Sequence, residues 1–524
     1  MKYDLKFSFI LRGKLPNEAN ERINIWLAEL QQMLESGVKE EDRKEISRVK
    51  KWEINSKTAT EDEILLSVIS GNTLPPHHAL LRMRKFISEK LGKEFRLGLS
   101  GIEIKSYIID VDIPNKPKKE FSLPFVKSIK FTDNNAKITL EKNIPIDFIE
   151  KGTIDRIVKL VRNKVIEEII RGKDEHHLVI YESKQVKPIT NENPTDLMIN
   201  DGWIQRTSYR NQWILAPAIS ALTEVIKQIM VEYIYKPLKF NNMIFPKLVP
   251  WEVWKKSGHL SGIYQGGFEP YFVCTPKTAD SDYWEEIADY FRITLEIEPE
   301  KIMEKLRPPI GGLSYAQCPP FWPYLQGKTI SDDSFPIFVY DWSGPTYRYE
   351  SGSAYGFERV DELHRIETLY IGFPEQIKKV AQDLRSSFGK VIGDILELEY
   401  REAWVTPWWT SQEGGLEDEA NAKVELENFD RIGTLDIELY LPYKGSRSES
   451  KWLETQNISI LGTKYTKSFT VKSQTGKELW SGCGGGSFER YISAFVAQKG
   501  TNPKNWPDKL LKYIDDLPKG PTFL

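Results

Sequence analysis

Cysteine is almost missing from this chain: Cys274, Cys318 and Cys483 are the only three in 524 residues. Their odd number and wide spacing argue against a disulfide framework and for a reducing compartment, so the cytoplasm is the expected location. No run of about 18 apolar residues occurs, which leaves no candidate membrane-spanning helix. The first residues, MKYDLKFSFILRGKLP, alternate polar and apolar and lack the continuous apolar core of a signal peptide. Charge of one sign is lacking as well. Lys and Arg number 72 against 75 Asp and Glu, for a net charge of −3 and a pI of about 6.2. Such a balance gives no general pull on nucleic acid, so any RNA contact must come from a local basic patch, and neither DNA nor a membrane is an expected partner. Internal repeats and low-complexity tracts are absent.

What is present is an ordinary soluble composition, 40% hydrophobic and 28% charged. A chain of this length exceeds what one core sustains, so two or three domains are expected. KYDLKFSFIL reads as a strand, and NERINIWLAELQQMLESG as a helix with Ile23, Trp26, Leu27, Leu30 and Leu34 on one face. ILLSVISG and GIEIKSYIIDVDI read as strands around a helix in HHALLRMRKFISEKLG. Two more strand-like runs precede the amphipathic helix TIDRIVKLVRNKVIEEIIRG, closed by Gly172. Residues 1–172 thus read as one α+β domain, the polar run 173–196 as a linker, and 197–524 as a second domain. In the latter a long helix (APAISALTEVIKQIMVEYI) leads to a strand in NNMIFPKLVP, and two short helices at about 279–307 form an inserted helix-turn-helix.

Chemistry concentrates in the second domain. PTYRYESGSAYGFERVDELHRIETLYIG holds Arg348 and Glu350, a glycine-containing loop, and a return strand with Arg359, Arg365 and Glu367. Two strands joined by a loop can aim guanidinium groups from both sides at a polyphosphate, matching its oxygens in bidentate fashion. Taken alone, R-x-E more often marks a salt-bridged hairpin. Three features occur in order, however: a helix and strand ending at Pro246, the R-x-E hairpin, and the glycine run SGCGGGSFER with Arg490 in the first turn of a helix.

This succession resembles motifs 1, 2 and 3 of the class II aminoacyl-tRNA synthetases. LDIELYLP followed by ETQNIS resembles the corresponding runs of seryl-tRNA synthetases, and with no heptads for a coiled-coil arm the whole chain is similar to their rare zinc-dependent, methanogen-type branch. The resemblance implies an antiparallel catalytic sheet flanked by helices, preceded by a tRNA-binding sheet capped by helices. It also implies a homodimer that acts on serine, ATP and serine tRNA, and leaves open whether the related selenocysteine tRNA is charged as well.

Site residues follow from the same resemblance. Zinc would be held by Cys318, Glu367 and Cys483, and Mg²⁺ with ATP by Glu438 and Glu454. Arg348 and Arg490 would be catalytic, and Arg348, Glu350, Arg359, Glu438, Glu454 and Arg490 would bind ATP. Trp408, in a loop expected to move, Asn457 and Ser459 would contact serine. The glycines would let the backbone approach ATP. Cys274, His259 and His364 are expected to be structural. Arg82, Arg84 and Lys85 lie in the basic run LLRMRKFISEKLGKEFR with Lys90, Lys93 and Arg96, and would meet tRNA phosphates. Two other readings share these residues: a paralogue that loads a small amino acid onto a carrier protein, and a non-catalytic tRNA-binding relative.

Overall fold

The computed structural model describes the chain apart from residues 17, 118–119, 143, 172–176, 210, 262–267, 351–355, 406–431, 515 and 522–524. It divides into two compact units, Met1–Glu175 and His176–Leu524.

In the first unit β1 (Lys2–Leu11), β2 (Arg48–Ser56), β3 (Asp62–Ser70), β4 (Leu99–Asp112), β5 (Val126–Thr132) and β6 (Asn135–Leu140) form one antiparallel sheet in the order β2-β3-β1-β4-β6-β5. The alternation in β1 buries Tyr3, Leu5, Phe7 and Phe9 on one face, as a period of two requires. Against the sheet lie α1 (Ala19–Glu35), which buries Ile23, Trp26, Leu30 and Leu34, and α2 (Pro76–Phe95), which buries Leu80, Met83, Ile87 and Leu91. Leu27 is only half-buried at the edge of that core. α2 starts with proline, whose missing N–H costs nothing in a first turn, and ends at Arg96 in the left-handed region. α3 (Ile146–Glu150) and α4 (Thr153–Arg171) complete the unit. Sequence periodicity misses β2 because Arg48, Lys50, Lys51 and Glu53 load this edge strand with charge, which blunts edge-to-edge pairing but hides the alternation.

The second unit is built on a larger sheet. Its strands are β7 (His177–Glu182), β8 (Asn241–Asn242), β9 (Ile337–Asp341), β10 (Pro345–Tyr347), β11 (Glu362–Gly372), β12 (Tyr400–Val405), β13 (Gly433–Leu439), β14 (Leu453–Gly462) and β15 (Trp480–Ser487). They run in the order β8-β9-β11-β15-β14-β13-β12-β7, with β10 also on β11. The β8–β9 pair is parallel and the others antiparallel.

Two expectations are corrected here. The polar run 173–196 is no linker throughout: β7 pairs with β12, and the Asn193 side chain accepts from Thr195 N to cap α5 (Pro194–Asn200). NNMIFPKLVP is not one strand, since only Asn241–Asn242 joins the large sheet and Leu248–Pro250 pairs elsewhere; the prolines remove the donors a continuous ladder needs.

One face of the sheet is covered by α6 (Pro217–Met230), α7 (Trp251–Ser257) lies on the other side, and the two short helices of the insertion are α8 (Glu285–Thr294) and α9 (Pro299–Lys305). Neither α8 nor α9 buries a side chain, and their base is tied by Lys277 N to Lys305 O and Arg307 N to Thr275 O. α10 (Pro374–Gly389) and α11 (Phe488–Lys499) join α6 over the main core. The opposite face carries a smaller aromatic cluster of Trp254, Phe321, Trp322, Tyr465 and Phe469 and, beside it, an open pocket.

Candidate functional site

Strand register sets the site. Glu367 on β11 pairs with Gly485 on β15, Cys483 on β15 with Ser459 on β14, and Asn457 and Ser459 with Asp436 and Thr434 on β13. Cross-strand partners share a face, so residues far apart in the chain line up on one surface. Cys318 comes from outside the sheet, at the mouth of a 3₁₀ turn (Pro319–Tyr324) anchored by buried Phe321 and Trp322.

Cys318, Glu367 and Cys483 line a pocket of about 140 Å³ with Asn457, Ser459, Arg348, Arg365 and Glu454. A wider groove of about 840 Å³ opens on the first unit, but its lining mixes Lys2, Lys44 and Arg48 with Asp4, Glu45, Asp110 and Asp112 and gathers no ligand set. The chemistry therefore belongs to the smaller pocket.

The ligand atoms of Cys318, Glu367 and Cys483 lie within 4.8 Å of one another. A hydrogen bond with Cys318, burial, and the nearby Cys318 and Glu367 raise the Cys483 thiol well above its ordinary range. Burial likewise raises the Glu367 carboxyl, against the pull of Arg365, whose Nε donates to Glu367 Oε2 at 2.9 Å. Burial opposes ionisation of the Cys483 thiol and the Glu367 carboxyl, and a divalent cation reverses that balance. Two thiolates and a carboxylate are a zinc donor set with a fourth position left open, so the residues fit the metal.

A second feature is a convergence of arginines. Burial works against the ionised Glu454, yet Arg490, Arg348 and Arg365 hold its carboxyl below the ordinary value. Arg490 Nη1 donates to Glu454 O at 2.8 Å and to its Oε2 at 3.2 Å. Several guanidinium groups around one pocket edge make an anion-binding field.

Other expected residues lie differently. Glu438 is the cross-strand partner of Glu454, but it does not line the pocket; Arg401 Nε at 2.6 Å and His177 Nε2 at 2.7 Å engage it. Arg359 is exposed and outside the lining. Trp408 and the Glu350 side chain fall outside the described residues. In the first unit Arg82, Arg84 and Lys85 are all exposed on α2, with Arg84 3.5 Å from Glu150.

Sequence reasoning named Arg365 only among the strand arginines that can face a polyphosphate, gave no pocket role to Tyr315, Leu461 or Tyr465, and set His259 aside as structural; all five line the pocket. Arg365 was findable, because it stands two residues before Glu367 on the same strand face. Burial drives His259 to a pKa of about 3, and its Nδ1 lies 2.9 Å from Ser257 Oγ, so the ring is neutral and outside the sulfur-carboxylate trio.

The glycines of β15 also serve an internal purpose. A Cβ on Gly485 would lie 1.8 Å from the Arg365 guanidinium, and one on Gly482 would lie 2.0 Å from the Tyr370 ring. The missing side chains make room for Arg365 and for Tyr370.

Comparison with known proteins agrees with this geometry. Residues 1–163 match the family model described as a tRNA-binding domain. The chain is 43% identical to the type-2 serine–tRNA ligase of Methanococcoides burtonii over 480 residues, 91% of each chain. It is 38% identical to that of Methanothrix thermoacetophila over the full length of both. Its fold matches the M. kandleri SerRS crystallised with A. aeolicus tRNASec, with a TM-score of 0.77 and 28% identity over 100% of this chain and 99% of that one. Fold, tRNA-binding domain and full-length relatives agree: the chain belongs to the type-2 serine–tRNA ligases, class II synthetases that join serine to tRNA.

Proposed function

We propose that this ligase is zinc-dependent, activating serine with ATP to seryl-adenylate and passing the seryl group to the 3′ end of serine tRNA, as a cytoplasmic homodimer. The observation that carries the reading is one pocket holding Cys318, Glu367 and Cys483 beside Asn457, Ser459, Arg348 and Glu454. Zinc bound by Cys318, Glu367 and Cys483 would supply a Lewis acid that accepts a neutral amine and so orients the amino acid.

The chain's own residues do the rest. Arg365 fixes the Glu367 carboxylate through its 2.9 Å hydrogen bond. Asn457 and Ser459 form the polar wall of a small pocket. Its Asn457 Oδ1 accepts from Gly485 N at 3.0 Å, and Ser459 Oγ sits 2.7 Å from Thr434 Oγ1, so both side chains are held in place. Threonine differs from serine by one methyl, worth only about 1–3 kcal/mol in a hydrophobic slot, so a fixed wall that clashes discriminates better. Trp408 would complete that wall. Arg348 would neutralise charge at the α-phosphate, with Arg359, Arg490 and Glu350 on the rest of ATP, while Glu438 and Glu454 would hold its Mg²⁺. On α2, Arg82, Arg84 and Lys85 would grip tRNA phosphates.

Pyrophosphate exchange with each amino acid, before and after metal chelation, tests the reading. Serine-dependent exchange that vanishes on chelation and returns with zinc supports it. Exchange with glycine or alanine would favour loading of a carrier protein, and no exchange would favour a non-catalytic role. In charging assays, the double variant Arg82→Ala with Lys85→Ala should raise KM for serine tRNA and flatten its salt dependence while leaving exchange unchanged. The M. kandleri SerRS was crystallised with a selenocysteine tRNA, so that RNA is the second acceptor to assay.

A further inference from the structure

A second group of metal-capable side chains stands in the first unit. His77 and His78 follow Pro76 in the first turn of α2, and Asp155 stands in the first turn of α4. Although 77 residues separate His78 from Asp155, the helix starts meet. His77 Nε2 lies 3.0 Å from Asp155 Oδ1, and His78 Nε2 lies 2.9 Å from Asp155 Oδ2. All ligand atoms are within 4.8 Å of one another. Atoms bound to one ion at about 2.0–2.2 Å stand roughly 3–3.5 Å apart, so little movement is needed to admit one.

The rings are fixed in advance. The Tyr107 hydroxyl lies 2.5 Å from His77 Nδ1 in the core, and the two imidazoles pack edge to face with centroids 4.4 Å apart. His77 is fully buried, while the side chains of His78 and Asp155 are about half exposed, at 51% and 49%, which leaves solvent access on one side.

We infer that His77, His78 and Asp155 bind a divalent transition-metal ion of zinc or nickel type, fastening α2 to α4. Two imidazoles and one carboxylate suit such borderline ions rather than Mg²⁺ or Ca²⁺. The ion replaces the N–H protons that otherwise link each ring to the carboxylate. On His77 the ring proton so displaced from Nε2 passes to Nδ1, where the Tyr107 oxygen accepts it, the usual partner arrangement of a ligating histidine. Because Arg82, Arg84 and Lys85 follow on the same helix within about two turns, the ion would steady the basic face that meets tRNA.

The test uses tag-free, full-length protein dialysed against Zn²⁺ and assayed for bound metal. Wild type should retain a second equivalent beyond that held by the cysteines. His78→Gln keeps a hydrogen-bond donor to Asp155 but no good ligand, and should weaken the second equivalent by at least about 100-fold, the upper end of what losing a mere outer partner costs. Cys318→Ser should lose the other equivalent and keep this one, so the outcome does not depend on the catalytic reading. Ni²⁺ should raise the melting temperature of wild type and not that of His78→Gln. Equal metal content and equal melting shifts in wild type and His78→Gln would overturn the inference.

Discussion

The two trios, Cys318–Glu367–Cys483 and His77–His78–Asp155, have similar ligand spacing but opposite electrostatics. In the first, a hydrogen bond with Cys318 and burial raise the Cys483 thiol, and burial raises the Glu367 carboxyl. In the second, burial also opposes ionisation, yet hydrogen bonds from His78 and His77 hold the Asp155 carboxyl below its ordinary range. A cation in the first site would offset that burial. The other is already satisfied by its own hydrogen bonds, so a metal there adds rigidity rather than chemistry. The difference teaches that a ligand set should be judged by what its groups do when the ion is absent, and not by spacing alone.

The comparison breaks most visibly on metal removal. Chelation, or Cys483→Ser, should reduce serine-dependent exchange by at least about 100-fold while circular dichroism of the first unit's helices and sheet stays near wild type. Next in size, Arg490→Ala should lower kcat by about 10²–10³-fold, the loss expected when a donor to developing charge is removed; metal content should not change. A smaller effect sharpens the first trio: Arg365→Lys keeps the charge but not the guanidinium fork, and competition with a chromophoric chelator should show zinc affinity down by about 10–100-fold.

The smallest effect is a control, a histidine–carboxylate pair that is no metal site. A hydrogen bond to Glu489 raises the His364 pKa, its Nδ1 lying 2.7 Å from Glu489 Oε1. The pair's stabilisation is fully present below about pH 6.5, the unfolded value, and is lost as pH rises through the raised folded value. With His364 47% exposed, it should amount to well under 1 kcal/mol. Denaturant titrations of wild type and His364→Asn should converge at high pH, with or without Zn²⁺.

Local pattern made part of this molecule legible. The period of two in β1 and of 3.6 in α1 and α2 identified those elements, because each hides one apolar face against a single core. Edge strands escaped: β2 carries charge on residues that also pair, and β7 is a short apolar run inside polar flanks. The sulfur–carboxylate trio was beyond any local rule: its members are 49 and 116 residues apart, the register of β11 with β15 brings Glu367 near Cys483, and Cys318 joins from outside the sheet. Only resemblance to a family named them. The adjacent histidines of the second trio were visible as a pair, but their partner Asp155 depends on how two helix starts meet.

Zinc-edge X-ray absorption of the His78→Gln protein, in which the second trio is disabled, tests the central claim most directly. The account predicts bound zinc with two sulfur neighbours at about 2.3 Å and a lighter-atom shell that changes when serine is added. A zinc shell of nitrogen and oxygen alone, or full serine activation in protein free of zinc, would contradict it.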